Sequence, residues 1–424
     1  MKEELLYFIW QLQYFDKQSL ITTDYQPLQI LSQGIRNEHS GPDFEQARIR
    51  LEPMEWIGSV EIHVRASDWD AHGHQHDEAY NRVVLHVVWQ QDKKVLRQDG
   101  TLIPTLTLSN RVSAKVLQVY ERLIFTPPAQ QDIACAFHLP RVNNLVKLSM
   151  LEKTAVARLE RKSQEILNRL KSNRGDWGET AYQTLFRSFG FRVNTDPLEQ
   201  LSQSLPRSLV AHYQYNFTNL VALLLGQAGL LHEKDIPVEW QQQYKFLQKK
   251  HPLDPPALSR SQWRFFRTRP ANFPTVRIIQ LAKVLATYAA NLSPLFRGQT
   301  LPEYYALFDT AARKYQDPTP VLGRESMHQI LINAVIPYQF AYGMYLHEQP
   351  WKDQALSLLQ AIPAEKNQVV SKYRKYGYSV ATAFDTQAVL ELHHQFCQPK
   401  KCLSCTIGGS IVKNSKIFVT SVSH

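Results

Sequence analysis

Residues 44–65 read FEQARIRLEPMEWIGSVEIHVR, and two runs of alternation meet there at a proline. In the first run Phe44, Gln46, Arg48 and Arg50 alternate with Glu45, Ala47, Ile49 and Leu51. After the break at Pro53, Trp56, Gly58, Val60, Ile62 and Val64 alternate with Ile57, Ser59, Glu61, His63 and Arg65. A period of two marks a strand, because successive side chains leave opposite faces of the backbone. The stretch predicts two adjacent antiparallel strands, with Glu61 and His63 projecting from one face of the second.

Working outward, residues 2–15 place Leu5, Leu6, Phe8, Ile9, Leu12 and Phe15 at helical spacing, with Glu3 and Glu4 at the positive end of the helix dipole. PLQILSQG (27–34) reads as a strand. The polar stretch 66–81 leaves room for a short helix around His76–Tyr80. VVLHVVW (83–89) is an apolar run suited to a buried strand. A hairpin with its turn near Asp99-Gly100 is expected to close the unit before Asn110. The order is helix, strand, strand, strand, helix, strand. From about residue 111 the texture is helical, with helices expected near 145–172, 178–189, 215–231, 237–250, 274–291, 301–315, 325–346 and 352–361. Prolines at 206, 252, 255, 256, 294, 318, 320 and 350 punctuate them. The expected class is α+β: a mixed α/β domain (1–110), a larger all-helical domain (111–383) and a cysteine-containing tail (384–424).

The chain has 424 residues, 44% of them hydrophobic, with 48 basic against 38 acidic side chains and a net charge of +10. The apolar content is that of a globular protein. The basic excess favours an anionic partner, nucleic acid among them, or is simply a solvated surface. No stretch approaches the ~18 apolar residues of a membrane helix, so no membrane partner is expected. MKEELLYFIW lacks the basic-then-apolar layout of a signal peptide. A cytoplasmic location follows as an expectation, with cysteines read as ligands or buried thiols before disulfides.

Asp43 opens the first strand after a Gly-Pro turn, and Glu61 lies on the next. Two carboxylates brought to one end of such a pair repel unless a cation sits between them, so the pair is a candidate Mg²⁺ or Mn²⁺ site. His63 is placed to orient a water or take its proton; Asp43 and Glu61 on a solvated face, capping and pairing locally, is the alternative. His72, His74, His76 and Asp77 offer zinc ligands if the loop gathers them, or are surface residues. His86, within its apolar run, reads as a core residue. Asp68-Trp69 and Asp77 are further neighbours.

The order of elements, with Pro42-Asp43 and Glu61-Ile62-His63, resembles the core of the PD-(D/E)XK nucleases. That resemblance implies Asp43 and Glu61 as metal ligands, phosphodiester hydrolysis, and a helix acid at Glu3 or Glu4. His63 stands where that superfamily usually has Lys.

Cys397, Cys402 and Cys405 give Cys-x4-Cys-x2-Cys, and Cys135 is the remaining cysteine. Clustered thiols point to a zinc or iron–sulfur site, closed by Cys135 or by His393 or His394, or to reduced side chains packed beneath Ile407. WRFFRTRPANFPTVR (263–277) interleaves Arg264, Arg267, Arg269 and Arg277 with Trp263, Phe265, Phe266 and Phe273. Guanidinium groups hold phosphates and aromatic faces stack bases, which makes this stretch a candidate nucleic-acid surface; a buried aromatic plug with solvated arginines is the alternative. Finally, GPDFEQARI, WIGSVEIHVRASDWDAHGHQHDEAYNRVVLHVVW, LLLGQAGLL, RPANFPTVRI, NAVIPYQFAYG and CLSCTIG together resemble the bacterial family known as domain of unknown function 2851, from about residue 5 to about 412.

Overall fold

The computed structural model describes residues 2–37, 40–125, 133–251, 253, 257–265, 270–315 and 318–414. The chain divides into two units, Met1–Met150 with His394–His424, and Leu151–His393. The first unit thus extends about forty residues beyond the expected boundary at 110, and of the expected tail the part from His394 onward belongs to it, while 384–393 fall in the second unit. The reason is packing: helix α3 (Ala114–Phe125) lies against the C-terminal helix Thr406–Lys413.

The first unit is built on one sheet. Helix α1 (Glu3–Gln11) buries Leu5, Leu6, Phe8, Ile9 and Trp10. Strands β1 (Leu28–Ser32), β2 (Ile35–Arg36), β3 (Phe44–Leu51), β4 (Met54–Arg65), β5 (Val83–Gln90) and β6 (Thr105–Thr107) follow. The order across the sheet is β1-β3-β4-β5-β6, with β2 also on β3. β3 and β4 are antiparallel, whereas β4–β5 and β5–β6 are parallel. Between β4 and β5 run α2 (Asp68–Ala71) and two 3-10 turns, His74–His76 and Glu78–Arg82. The expected hairpin turn at Asp99-Gly100 is present and short: Leu96 bridges Leu102, and the Arg97 and Ile103 N–H groups donate to the Thr101 and Val95 carbonyls (2.9 and 3.1 Å). It returns the chain so that β6 runs parallel to β5.

One face of the sheet packs Phe44, Ala47, Ile49, Leu51, Val60, Ile62, Leu85 and Val87 with Leu5, Leu6, Ile9 and Trp10 of α1. The other face carries a smaller cluster of Ala66, Trp69, Tyr80, Val83, Val88, Val95 and Ile103.

A bulge at Gln46 corrects the straight alternation expected for β3. Ala47 pairs with Gly58 but Phe44 pairs with Val60, so β3 carries one extra residue, and Gln46 sits at φ 57°. Phe44 thereby joins Ala47, Ile49 and Leu51 on the buried face. An unbroken register would set Asp43 opposite Ile62 and aim it at the core; the bulge sets it beside Glu61 on the opposite face.

The second unit is helical. Its core runs from Tyr182, Phe186 and Phe189 through Leu220–Leu225 and Ile278–Leu285 to Leu331–Ile336. The helix expected over 325–346 is interrupted: Arg324–Ile330 and Ile336–Leu346 flank a wider π turn at Leu331–Val335. Pro337 explains this, since it lacks the N–H that a regular ladder requires. Glu391, only 3% exposed, accepts hydrogen bonds from Arg158 Nη1 (2.9 Å) and Arg161 Nη2 (2.9 Å). Among the described residues no helix is long and apolar enough to cross a membrane.

Candidate metal centre

Register places the first members of the site. The bulge brings Asp43 to Glu61, and the Asp43 N–H donates to Glu61 Oε2 (3.0 Å) while the Ile62 N–H donates to Asp43 Oδ2 (3.0 Å). Parallel pairing sets His86 of β5 beside Glu61 of β4, on the face that also carries His63. The loop supplies the rest. Gly73, at φ 77°, adopts the left-handed conformation that glycine tolerates best, and the turn it makes lets both His72 and His74 face the sheet. Tyr80 stacks on His74 at 3.8 Å between centroids, and Trp69 meets His74 edge-on at 5.3 Å.

The imidazoles converge on one oxygen. Glu61 Oε1 lies 3.6 Å from His63 Nε2 and 3.4 Å from His74 Nε2. His63 Nε2 lies 3.2 Å from His72 Nδ1, and His63 Nδ1 lies 2.9 Å from His86 Nε2. Donor atoms of His63, His72 and His74 all fall within 4.8 Å of one another. Among the described residues this is the group of three possible ligands that meets that spacing. His63 and His86 are buried, His74 is half-buried and His72 is exposed.

α1 adds the remaining groups. Tyr7 Oη donates to Glu3 Oε2 (3.4 Å) and also reaches the Asp43 carboxyl. Of the two candidate helix acids, it is therefore Glu3 that faces this site; Glu4 is exposed. Tyr7 was missed in the sequence, although its position one turn after Glu3 was a usable signal.

The electrostatics are unbalanced. Burial first, and the neighbouring Glu61 charge second, push the Asp43 carboxyl up to about 7. Burial, followed by the charges of His86, His74 and His72, pulls His63 down to about 2, and burial pulls His86 down to about 3. Among the described residues no Lys or Arg pairs with Asp43 or Glu61; the partners of Glu61 are imidazoles. His63 is thus held neutral, with both ring nitrogens engaged. That fits a fixed nitrogen donor better than the proton carrier expected from sequence. Asp68 caps the Arg65 N–H (2.9 Å), Asp77 caps Ala79 (2.9 Å), and Trp69 is a core residue. His76 is exposed and stands outside the imidazole trio.

The cysteines form a second grouping in the same unit. Cys135 precedes the 3-10 turn Ala136–Arg141, and Cys405 caps the helix Thr406–Lys413. Cys402 is buried in the core with Leu403 and Ala134 packed against it. Burial raises the Cys135 thiol, and the nearby Cys397, Cys405 and Cys402 raise it further. None of the four cysteines is joined in a disulfide. Gly408 makes the tail fit, since a Cβ there would lie 2.0 Å from the Cys402 carbonyl oxygen.

The basic, aromatic stretch behaves differently from its candidate role. Trp263 is a core side chain whose Nε1 donates to the Ala228 carbonyl (2.8 Å). Arg277 is buried: it donates to Gln280 Oε1 (2.9 Å), Ser326 Oγ (3.1 Å) and Asn272, and lies over the Phe191 ring at 3.9 Å. Its guanidinium is spent inside the helical unit, which corrects the expectation that it faces a phosphate. Arg277 is the fourth residue of the helix Pro274–Tyr288 and lies on its buried side, whereas Arg264 is exposed. Arg267 and Arg269 lie outside the described residues.

With this geometry in place, the chain can be set against known proteins. The family described as "Protein of unknown function (DUF2851)" matches residues 3–368. The chain belongs to the DUF2851 family. The match contains every residue of the acid–imidazole cluster and Cys135, and ends before Cys397, short of the reach to about 412 read from sequence. No curated protein and no solved structure matches the chain.

Proposed function

We propose that this DUF2851 protein is a metal-dependent hydrolase of phosphodiester bonds, with nucleic acid as the substrate class. The observation that carries the reading is the pair of half-buried Asp43 and buried Glu61, paired on one sheet face without a Lys or Arg partner among the described residues. Such a pair fits a divalent cation, Mg²⁺ or Mn²⁺ in the simplest case. A bound ion supplies Lewis acidity to a phosphoryl oxygen and to water. Asp43 and Glu61 hold it, the neutral His63 ring fixes the Glu61 oxygen and the adjacent water, and Tyr7 orients Glu3 and Asp43. In the reaction, water oxygen adds to phosphorus and one P–O ester bond breaks. The departing oxygen gains a proton from solvent and the water loses one to it.

The test compares the purified protein with an Asp43→Ala, Glu61→Ala variant on single- and double-stranded DNA and RNA with Mg²⁺ or Mn²⁺. Cleavage falling at least ~100-fold in the variant is expected. Equal cleavage by both, or none by either between pH 6 and 9, overturns the reading. Nucleic-acid binding that persists without cleavage would instead favour a non-catalytic binding protein.

We also propose that Cys135, Cys397, Cys402 and Cys405 bind zinc or an iron–sulfur cluster that staples the tail to the first unit. What supports it is that Cys135 and the tail cysteines belong to one unit, in which Ala134, Cys402 and Leu403 share a core. Metal and acid-labile sulfide analysis of the purified protein distinguishes the two; neither metal nor sulfide leaves reduced, packed thiols.

A further inference from the structure

We propose that His63, His72 and His74, with Glu61 Oε1 at their edge, bind a divalent transition-metal ion of the zinc class, distinct from an oxygen-only Mg²⁺ site. The inference deepens the reading above, in that it requires a cation here but not hydrolysis. Its basis is donor spacing. Ligand atoms about 2.0–2.1 Å from a tetrahedral ion stand roughly 3.4 Å from one another. The structure gives 3.2 Å for His63 Nε2 to His72 Nδ1, 3.6 Å for Glu61 Oε1 to His63 Nε2 and 3.4 Å for Glu61 Oε1 to His74 Nε2.

Hydrogen-bond accounting points the same way. The His63 Nε2 atom faces a nitrogen and a carboxylate oxygen at once, and a single proton cannot serve both. The His74 Nε2 atom is buried with no hydrogen-bond partner. Bare nitrogens aimed at a shared cation satisfy all of them. The outer atoms are already held as metal-binding imidazoles require: His63 Nδ1 is at 2.9 Å from His86 Nε2, and Tyr80 stacks on His74. Glu61 divides its two oxygens, Oε2 on the Asp43 N–H and Oε1 toward the imidazoles. Imidazole-rich sets suit zinc, iron and nickel rather than magnesium, which prefers oxygen ligands. Because His72 is exposed, the ion can enter there and retain an open position for water.

The experiment uses the full chain stripped with a chelator and titrated with Co²⁺, read by its visible ligand-field absorption, with Zn²⁺ as competitor. Three proteins are compared: the parent, His72→Ala with His74→Ala, and His76→Ala, an exposed loop histidine outside the trio. The mutated histidines lie on the loop, and circular dichroism with thermal melting checks that each variant is folded. The expected result is strong absorption displaced by one equivalent of Zn²⁺ in the parent and in His76→Ala, and affinity weaker by 100-fold or more in the double-histidine variant. A cobalt signal from the cysteines survives in all three and is subtracted. Unchanged binding in the double-histidine variant, or no cobalt signal beyond that of the cysteines, overturns the inference. Co²⁺ binding that does not depend on these histidines, together with cleavage that depends on Asp43 and Glu61, would overturn it while leaving the hydrolase reading intact. Tight histidine-dependent Co²⁺ binding without cleavage would do the reverse.

Discussion

The acid–imidazole cluster of the sheet unit and the Glu391 network of the helical unit both bury carboxylates, but they balance them in opposite ways. Glu391 is met by two guanidinium groups that hold its carboxyl below the usual carboxylate range despite the upward pull of burial. Asp43 meets the carboxylates of Glu61 and Glu3, with only the Tyr7 hydroxyl and the Ile62 N–H against them, and burial first pushes its carboxyl up to about 7. A buried acid that finds its cation within the chain is a structural feature. Acids that crowd one another with no Lys or Arg beside them among the described residues form a site shaped for a cation from outside.

Neutralising each acid in turn should separate the two regions most sharply. Glu391→Gln leaves Arg158 and Arg161 without their counter-charge and should lower stability by about 3 kcal/mol. Glu61→Gln in metal-free protein should cost nothing or raise stability, because it removes a repulsion. Urea denaturation of both variants checks this, and equal losses would erase the distinction between the regions.

The pH dependence provides a second contrast. The folded-state pKa of Asp43, about 7, lies above its ordinary value of 3.8. The native state therefore keeps a proton that the unfolded chain has released, and stability of the metal-free protein falls as pH rises between those values. Asp43→Asn should flatten that fall and gain ~1–3 kcal/mol at pH 8. Glu391 has the opposite sign: its depressed pKa contributes stability above the carboxylate range that is lost as pH falls. Melting curves from pH 4 to 8 that move in the same direction for Asp43→Asn and Glu391→Gln would contradict the assignment.

The smallest effect probes the feature that builds the unbalanced site. Gln46 holds a positive φ that costs a non-glycine residue ~1 kcal/mol. Gln46→Gly should therefore stabilise the protein by ~0.5–1 kcal/mol with metal binding intact. If the strand were regular, glycine there would destabilise it instead.

Much of this was legible in the sequence. The alternation over 54–65 puts Glu61 and His63 on one face because a strand has a period of two. The apolar spacing of residues 5–10 makes a helix with one buried stripe, and the family membership is visible in long contiguous phrases. These are local properties, fixed by backbone geometry and by neighbours a few positions away. What the sequence could not supply depended on partners distant along the chain. The Gln46 bulge exists only relative to β4, yet it decides that Asp43 faces Glu61 rather than the core. His72 and His74 look like loop histidines until the turn at Gly73 folds them onto His63 and Glu61. Arg277 carries the charge expected of a phosphate ligand, but Gln280, Asn272, Ser326 and Phe191 enclose it. Local periodicity sets which face a side chain leaves from; only tertiary packing sets what that face meets, because register and burial are properties of pairs of segments.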